Sequence, residues 1–272
     1  MNADHSELQK KAQEIRRQVV TMIYHAGSGH PGGSLSCAEI LSALYFSELN
    51  IRPREPQWPD RDRFILSKGH ACPALYAALA MRGFFSQEEL KGLRQLGHFL
   101  EGHPSLAIPG VDAVSGSLGM GISQGLGMAL AARYTRRSFR VYVLLGDGDM
   151  EEGSTWEALM ACGQYKLDSL VAILDTNGYQ GEDRVEKQMD YFPVAEKVRA
   201  FKWHVNEING HSVPEILRAF ARAKADKGKP TFIVAKTIKG KGVSFMENNN
   251  YWHGSVGISR DQLDQALREL GG

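Results

Sequence analysis

Short apolar runs alternate along this chain with longer segments in which apolar residues recur at helical spacing. The short runs predict strands at residues 64–66, 141–145, 170–174, 201–208 and 231–235. Helices are predicted at residues 6–26, 36–48, 73–82, 86–96, 154–165, 213–227 and 259–270, and in the second part of 114–134. Because strand–helix–strand units of this length suit parallel crossovers, the pattern favours one α/β domain over residues 1–272 with a mostly parallel sheet.

Polar clusters follow two neighbouring predicted strands at the point where each strand ends. Gly146-Asp147-Gly148 comes directly after strand 141–145, and Asn177 follows strand 170–174. The carboxyl ends of parallel strands lie at the same edge of a sheet, where ligands bind. We therefore expect Asp147 and Asn177 to lie close together.

The residue types at this edge suit a metal-bridged diphosphate. Asp147 offers an anionic oxygen and Asn177 a neutral carbonyl oxygen, which are ligands that Mg²⁺ or Ca²⁺ prefers. The flanking Gly146 and Gly148 let the backbone approach a phosphate closely. A plain strand-end turn with no ligand is the alternative. The matching Asn177 at a second strand end favours the ligand.

Composition and charge exclude several classes of partner. Lys and Arg number 32 against 31 Asp and Glu, so the net charge of +1 argues against nucleic acid or a polybasic membrane surface. The 3 cysteines are too few for a disulfide framework or a zinc site. No apolar run approaches a membrane span, and the first residues resemble an amphipathic helix more than a targeting peptide. A cytoplasmic location is the expectation.

Five stretches in this order resemble the transketolase family. They are SGHPGG (28–33), DRFILSKGHACPALY (62–76), GHP (102–104), the Gly-Asp-Gly with its later Asn, and YWHG (251–254). The resemblance implies the thiamine-diphosphate-binding fold (the diphosphate-binding domain), with helices on both faces of the sheet. Family members of full length are more than twice as long as this chain. The chain thus looks like the N-terminal subunit of a split transketolase.

The resemblance also implies roles for individual residues. The metal ligands would be Asp147, Asn177 and the backbone carbonyl of Tyr179. The cofactor would contact His70, Gly116, Ser117, Leu118, Gly146, Asp147, Gly148, Asn177 and His253, with the diphosphate held by His70 and Gly148. The sugar would be oriented by His30 and His103, with His253 or His30 handling protons. Glu152 matches the family's subunit-interface glutamate.

The function implied is transfer of a two-carbon ketol unit from a ketose phosphate to an aldose, with thiamine diphosphate and Mg²⁺ or Ca²⁺. A separate C-terminal subunit would complete each site, giving a heterotetramer with two copies of each chain, and this chain would be inactive alone. Pentose phosphates are the default sugar phosphate substrates. The alternatives are a 2-oxoacid dehydrogenase alpha subunit, a deoxyxylulose-phosphate synthase relative, and a non-catalytic structural partner that kept the fold.

Four further expectations concern residues around the motifs. Asp149 should face solvent or a partner, because a carboxylate close to a diphosphate would repel it. The basic segment 236–242 is interpreted as solvated surface charge in preference to a phosphate contact. Gly125 and Gly127 should allow close helix packing, and His98 should be a surface residue.

Overall fold

A parallel sheet forms the centre of the molecule in the computed structural model, which describes residues 4–181 and 183–271. The strands are β1 (Arg63–Leu66), β2 (Val141–Gly146), β3 (Leu170–Thr176), β4 (Tyr179–Gln180), β5 (Asp183–Arg184), β6 (His204–Asn209) and β7 (Thr231–Lys236). Five of them form one sheet in the order β1-β2-β3-β7-β6, and every neighbouring pair is parallel. The short β4 and β5 pair antiparallel beside it.

Helices precede, connect and follow the strands. They are α1 (His5–Ala26), α2 (Pro31–Ser36), α3 (Ala38–Ala43), α4 (Cys72–Arg82), α5 (Met120–Tyr134), α6 (Gly153–Tyr165), α7 (Val185–Gln188), α8 (Val194–Ala200), α9 (Val213–Ala225) and α10 (Arg260–Glu269). Single turns of 3₁₀ helix occur at Gly69–Ala71, Gln87–Gly92, Asp147–Glu151 and Asn250–Trp252. No helix in residues 4–181 or 183–271 is long and apolar enough to cross a membrane.

The sheet is buried on both faces, which explains why its strands are continuous apolar runs. Alternate side chains of a strand point to opposite faces, and here they enter two separate cores. One core joins Tyr142 and Leu144 of β2 to buried residues of α1, α3, α4, α9 and α10. The other joins Val143 and Leu145 to α5, α6 and α8. The predicted α/β fold with helices on both faces is confirmed.

Two predicted helices differ from those observed. The helix expected at 36–48 is divided into α2, α3 and a π-helical segment, Leu44–Glu48. Ser36 donates from its side chain to the Gly33 carbonyl and to Asp175, and such local bonds compete with a regular helix. The helix expected at 86–96 is reduced to the 3₁₀ segment Gln87–Gly92.

One of the two glycine expectations is wrong. A Cβ on Gly125 would lie 2.6 Å from Val143 Cγ2, so this glycine does allow α5 to approach the sheet closely. A Cβ on Gly127 would meet nothing within 4 Å, because that position lies on the exposed side of α5. His98 is half-buried and contacts Glu89 Oε2 at 2.9 Å, so it is not a free surface residue.

Candidate active site

The ends of β2 and β3 bring Asp147 and Asn177 together. Asp147 is 3% exposed and begins the 3₁₀ turn after β2. Its Oδ1 accepts hydrogen bonds from the Tyr191 hydroxyl (2.7 Å) and from Thr176 Oγ1 (3.0 Å), and its Oδ2 accepts from the Asn177 backbone N–H (3.0 Å). Burial raises the pKa of Asp147 to about 6, with Asp175 adding to the effect. A cation bound here would favour the ionised form.

Three imidazoles face this edge from three different loops. The ring centroids of His30 and His70 are 5.3 Å apart, those of His70 and His253 are 5.4 Å apart, and those of His30 and His253 are 6.2 Å apart. Burial, with nearby Arg94, lowers the pKa of His30 to about 4. Burial, with nearby Lys239, lowers the pKa of His253 to about 4. Burial also lowers the pKa of His70 well below its usual value. The three rings are therefore neutral at pH 7.

Lys239 completes this group, and the interpretation of its segment as surface charge is wrong for this residue. Lys239 is 1% exposed, and its Nζ donates to Asn250 Oδ1 (3.0 Å) and His253 Nδ1 (2.8 Å). Within the described part of the chain it forms no ion pair with a carboxylate, and burial lowers its pKa to about 8. We call His30, His70, His253 and Lys239 the basic cluster. The position of Lys239 in the sequence could have indicated a place in the site, because the residue follows β7 at the edge of the sheet where ligands bind.

Asp149 is also placed differently from expectation. It is fully buried and belongs to the lining of the cleft, with both carboxylate oxygens bonded to the fold. Its Oδ1 accepts from Ser67 Oγ (2.5 Å) and the Gly119 N–H (2.8 Å), and its Oδ2 accepts from the Gly146 N–H (2.8 Å). The 3₁₀ turn after β2 folds the carboxylate back beneath the strand end, where it joins three segments. Three hydrogen bonds from the fold, and not exposure to solvent, therefore satisfy this carboxylate.

A buried ion pair lies behind the basic cluster. Lys68 Nζ donates to Asp175 Oδ2 (2.5 Å) and to the Gly33 carbonyl (2.6 Å). Asp175 also accepts from Ser36 Oγ (2.5 Å) and from the Thr237 hydroxyl. Burial favours the neutral lysine, but the charge of Asp175 outweighs it and raises the pKa of Lys68. We call Lys68, Asp149 and Asp175 the paired cluster, since each has its hydrogen-bonding partners within the fold.

The glycine-rich loop before α5 forms another wall of the cleft. Gly116 has a φ of +154°, and a Cβ there would lie 3.3 Å from the ring of His103. His103 itself is exposed at the rim beside Arg94, which sequence reasoning missed. Arg94 Nη1 donates to Ser28 Oγ (2.8 Å) and Nη2 lies 3.3 Å from His30 Nδ1. The connection at residues 27–30, before α2, and the segment around residue 94 are thereby joined.

The cleft enclosed by these elements has an empty volume of about 700 Å³, its open mouth included. Ten of the residues singled out from the sequence line it: His30, His70, Gly116, Leu118, Gly146, Asp147, Gly148, Asn177, Tyr179 and His253. Ser117, His103 and Glu152 do not line it. Glu152 is exposed, and its Cβ would lie 2.4 Å from a Cβ on Gly119. The lining also includes Gly33, Lys68, Gln180 and Lys239.

The residues present fit a diphosphate bridged by a divalent cation. Among residues 4–181 and 183–271, the N–H donors of the basic cluster have no acidic partner, and Gln180 Oε1 in the lining is buried without a hydrogen-bond partner. In residues 4–181 and 183–271 there is no group of three or more His, Cys, Asp or Glu side chains that could hold a metal alone. A cation at Asp147 would therefore need neutral protein oxygens and ligand oxygens, which is the usual arrangement for Mg²⁺ with a phosphate ligand.

This sheet and cleft define the class of diphosphate-binding α/β domains that place a cofactor at the carboxyl edge of a parallel sheet. Residues 8–272 match the family model described as "Transketolase, thiamine diphosphate binding domain". The chain belongs to the transketolase family. It superimposes on transketolase from Campylobacter jejuni with a TM-score of 0.93 and 34% identity, covering 98% of this chain and 43% of that one.

Relatives of two lengths match the chain. It is 41% identical over 263 residues to a subunit of the apulose-4-phosphate transketolase of Phocaeicola vulgatus, covering 97% of this chain and 93% of that protein. It is 42% identical over 271 residues to the 6-deoxy-6-sulfo-D-fructose transketolase subunit SqwG of a Clostridium species, covering 99% and 98%. It is 41% identical over 266 residues to transketolase of Homo sapiens, covering 97% of this chain but 42% of that protein.

The family model and the two subunit relatives show that the chain is of the N-terminal subunit type of transketolase, a ketol-transferring enzyme. The family and function predicted from the sequence are confirmed. The alternatives, which were a 2-oxoacid dehydrogenase alpha subunit, a deoxyxylulose-phosphate synthase relative or a structural partner, are not favoured.

Proposed function

We propose that this chain, as one domain over residues 1–272, is the cofactor-holding subunit of a two-chain transketolase in the cytoplasm. The observation that carries the proposal is the basic cluster beside Asp147 and Asn177. In the part of the chain that the structure describes, none of these four largely buried side chains pairs with an acid. The buried ammonium of Lys239 and the neutral imidazole N–H groups beside it therefore cost free energy that a bound anion would recover. A cation-bridged diphosphate supplies that anion, and the chain's family binds thiamine diphosphate.

Three oxygens would bind the cation, and six further residues would contact the cofactor. Asp147 Oδ, Asn177 Oδ1 and the carbonyl of Tyr179 would bind Mg²⁺ or Ca²⁺. His70 and the backbone at Gly148 would hold the diphosphate, and Lys239 would join them. Gly116, Ser117 and Leu118 would lie along the thiazolium ring. When bound, thiamine diphosphate supplies the electron sink for breaking and forming the carbon–carbon bond.

His30 and His253 are prepared to donate hydrogen bonds to the sugar. Arg94 and Lys239 carry only donors, so His30 Nδ1 and His253 Nδ1 must accept from them. Each neutral ring then carries its proton on Nε2. We assign these N–H groups to the sugar's oxygens, with His103 at the rim orienting further hydroxyls. The low pKa values keep both imidazoles neutral, and a neutral imidazole can polarise a carbonyl by donating a hydrogen bond from its N–H.

A separate C-terminal subunit would complete each site in a heterotetramer with two copies of each chain. Both similar proteins of matching length are called subunits, which supports a second chain. The exposed Glu152 beside Gly119 would lie at the contact between subunits. A ketose phosphate and an aldose would be the substrates, with pentose phosphates as the default. The two similar subunits carry different sugar names, so these names do not decide which sugar this chain serves. Nucleic acid and membranes are not expected partners.

The experiment starts from the complex purified with its bound companions from the native cells and weighed by native mass spectrometry. A second chain and one thiamine diphosphate per site are expected. In the reconstituted complex, Asp147→Ala should abolish cofactor-dependent ketol transfer, because the buried anionic ligand of the cation is lost. Glu157→Ala, on the exposed side of α6, is the matched control and should retain activity. Full activity of Asp147→Ala, or a cofactor-free homodimer, would contradict the proposal.

A further inference from the structure

The turn after β6 contacts the segment that follows β7, which carries Lys239. The Gly210 N–H donates to the Lys236 carbonyl (2.8 Å), and the Ile238 N–H donates to His211 Nε2 (2.9 Å). A Cβ on Gly210 would lie 2.5 Å from Thr237 Cγ2, so a larger residue would force the two segments apart. His211 thus bonds the residue directly before Lys239, although it does not line the cleft.

Hydrogen bonds at both ring nitrogens orient His211. Its Nδ1 lies 3.0 Å from Glu39 Oε2, and Glu39 is held by two hydrogen bonds from Arg16 (2.7 and 2.6 Å). Burial alone would raise the pKa of Glu39, but the bonds from His211 and Arg16 prevail and lower it to about 2. Glu39 is therefore an acceptor. With Nδ1–H donating to Glu39 and Nε2 accepting from the Ile238 N–H, both partners of the ring are satisfied.

The rest of the segment is anchored on its other sides. The Thr237 N–H donates to the Thr176 carbonyl (3.0 Å), next to the metal-site residue Asn177. The Gly240 N–H donates to the Gly32 carbonyl (2.9 Å) in the first turn of α2, two residues after His30. With His211 as the third attachment, the backbone on both sides of Lys239 is held. The long side chain of Lys239 is thereby directed into the cleft, which it lines.

We infer that His211, oriented by Glu39 and Arg16, is a positioning residue that presents the Lys239 ammonium to the diphosphate end of the cleft. The inference rests on the proposed function, because it needs a diphosphate to be bound there. Its physical basis is that a hydrogen bond to a side chain's own backbone segment sets where that side chain points. Partners that orient ligating groups commonly change affinity by one to two orders of magnitude.

The test compares variants of His211 in the complete two-chain complex freed of cofactor. His211→Leu removes the acceptor for the Ile238 N–H and should weaken thiamine diphosphate binding, measured by calorimetry with Mg²⁺, about tenfold. His211→Gln keeps an oxygen near the position of Nε2 and should recover most of that loss. His204→Leu, at the other end of β6 where the imidazole is 35% exposed, is the control and should bind normally.

Two further readouts separate positioning from general destabilisation. Hydrogen exchange in His211→Leu should rise at residues 236–242 and remain unchanged in β2 and β3. At saturating cofactor the turnover rate should recover, because the affected quantity is affinity. In a Lys239→Met background, His211→Leu should have little additional effect on affinity, since the group it presents is gone.

The outcomes distinguish this inference from the proposed function. If the wild-type complex binds no thiamine diphosphate, the proposed function fails and the inference fails with it. If the wild type binds but His211→Leu binds equally well, only the inference is overturned. Fully additive losses for His211→Leu and Lys239→Met would also overturn it, because His211 would then act independently of the lysine.

Discussion

The carboxyl edge of the sheet carries two groups of buried or largely buried ionisable side chains that differ in how they are partnered. In the paired cluster, Lys68 and Asp175 neutralise each other, and Asp149 accepts three hydrogen bonds from the fold itself. In the basic cluster, the lysine and three imidazoles lie together, and within the described chain none forms an ion pair with a carboxylate. The two groups are adjacent and both are buried, so burial does not explain why their partners differ.

This difference distinguishes buried charges that stabilise the fold from buried charges that bind a ligand. A buried charge that is completed inside the fold stabilises the native state chiefly by avoiding an unpaired partner. A buried basic group without an acid costs free energy that binding of an anion can recover. Removing a member of the first group should therefore harm stability, and removing a member of the second should harm ligand binding.

The largest effect on stability is expected for Lys68→Met. The change leaves the Asp175 carboxylate buried without its cation, although Ser36 and Thr237 still donate to it. Breaking a buried ion pair in this way should lower the free energy of unfolding by about 3 kcal/mol. Urea unfolding of the wild type and variant measures the difference.

The control for Lys68→Met is Lys91→Met, which removes an exposed ion pair with Glu88. Exposed pairs between residues three apart contribute little, so the control should unfold at the same urea midpoint as the wild type. If Lys68→Met is no less stable than this control, the Lys68–Asp175 pair does not stabilise the fold, and the proposed difference between the two clusters is wrong.

The next effect concerns the pH dependence of the unliganded protein. The pKa of His253 is about 4 when folded against an ordinary value of 6.5, so between these values the unfolded chain binds more protons. Stability is therefore lost as pH falls from about 6.5 to 4, by on the order of 2 kcal/mol for this residue. His30 acts in the same direction, whereas Asp147, with its pKa raised to about 6, acts in the opposite one.

The difference between wild type and His253→Gln isolates the histidine contribution from these other groups. The melting temperature of the variant should fall less steeply between pH 6.5 and 4 than that of the wild type. Inorganic pyrophosphate should also flatten the wild-type curve, because an anion favours the protonated rings. Parallel curves for the two proteins, with and without pyrophosphate, would show that the basic cluster is not held neutral by burial.

Much of the fold could be predicted because it follows from short-range rules. A strand buried on both faces must be a continuous apolar run, so the predicted bounds of β2, β3 and β7 agree with the observed ones to within a residue or two. The edge rule for parallel sheets then brings Asp147 and Asn177 together from the sequence alone. The strand expected at 201–208 begins later, at His204, because Phe201 lies in the turn after α8.

The environment of single charged residues could not be predicted, because it depends on chain segments far away in sequence. Lys239 is buried by Asn250 and His253, which reach it from the next loop. Asp149 points inward because Ser67 and Gly119, more than one element away, supply its donors. Local composition describes both residues correctly as polar loop residues and says nothing about these contacts.

The smallest change in stability, and the sharpest contrast with Lys68, is expected for Lys239→Met. The pKa of Lys239 is lowered to about 8 by burial, so at pH 7 the folded state bears the cost of keeping this ammonium charged. Losing the bonds to Asn250 and His253 opposes that gain. The free energy of unfolding in urea should thus stay within about 1 kcal/mol of the wild type. Thiamine diphosphate affinity in the complete complex should nevertheless fall by more than about tenfold. A loss of stability as large as that of Lys68→Met would place Lys239 among the paired groups. Only the three imidazoles would then support the binding of an anion in the cleft.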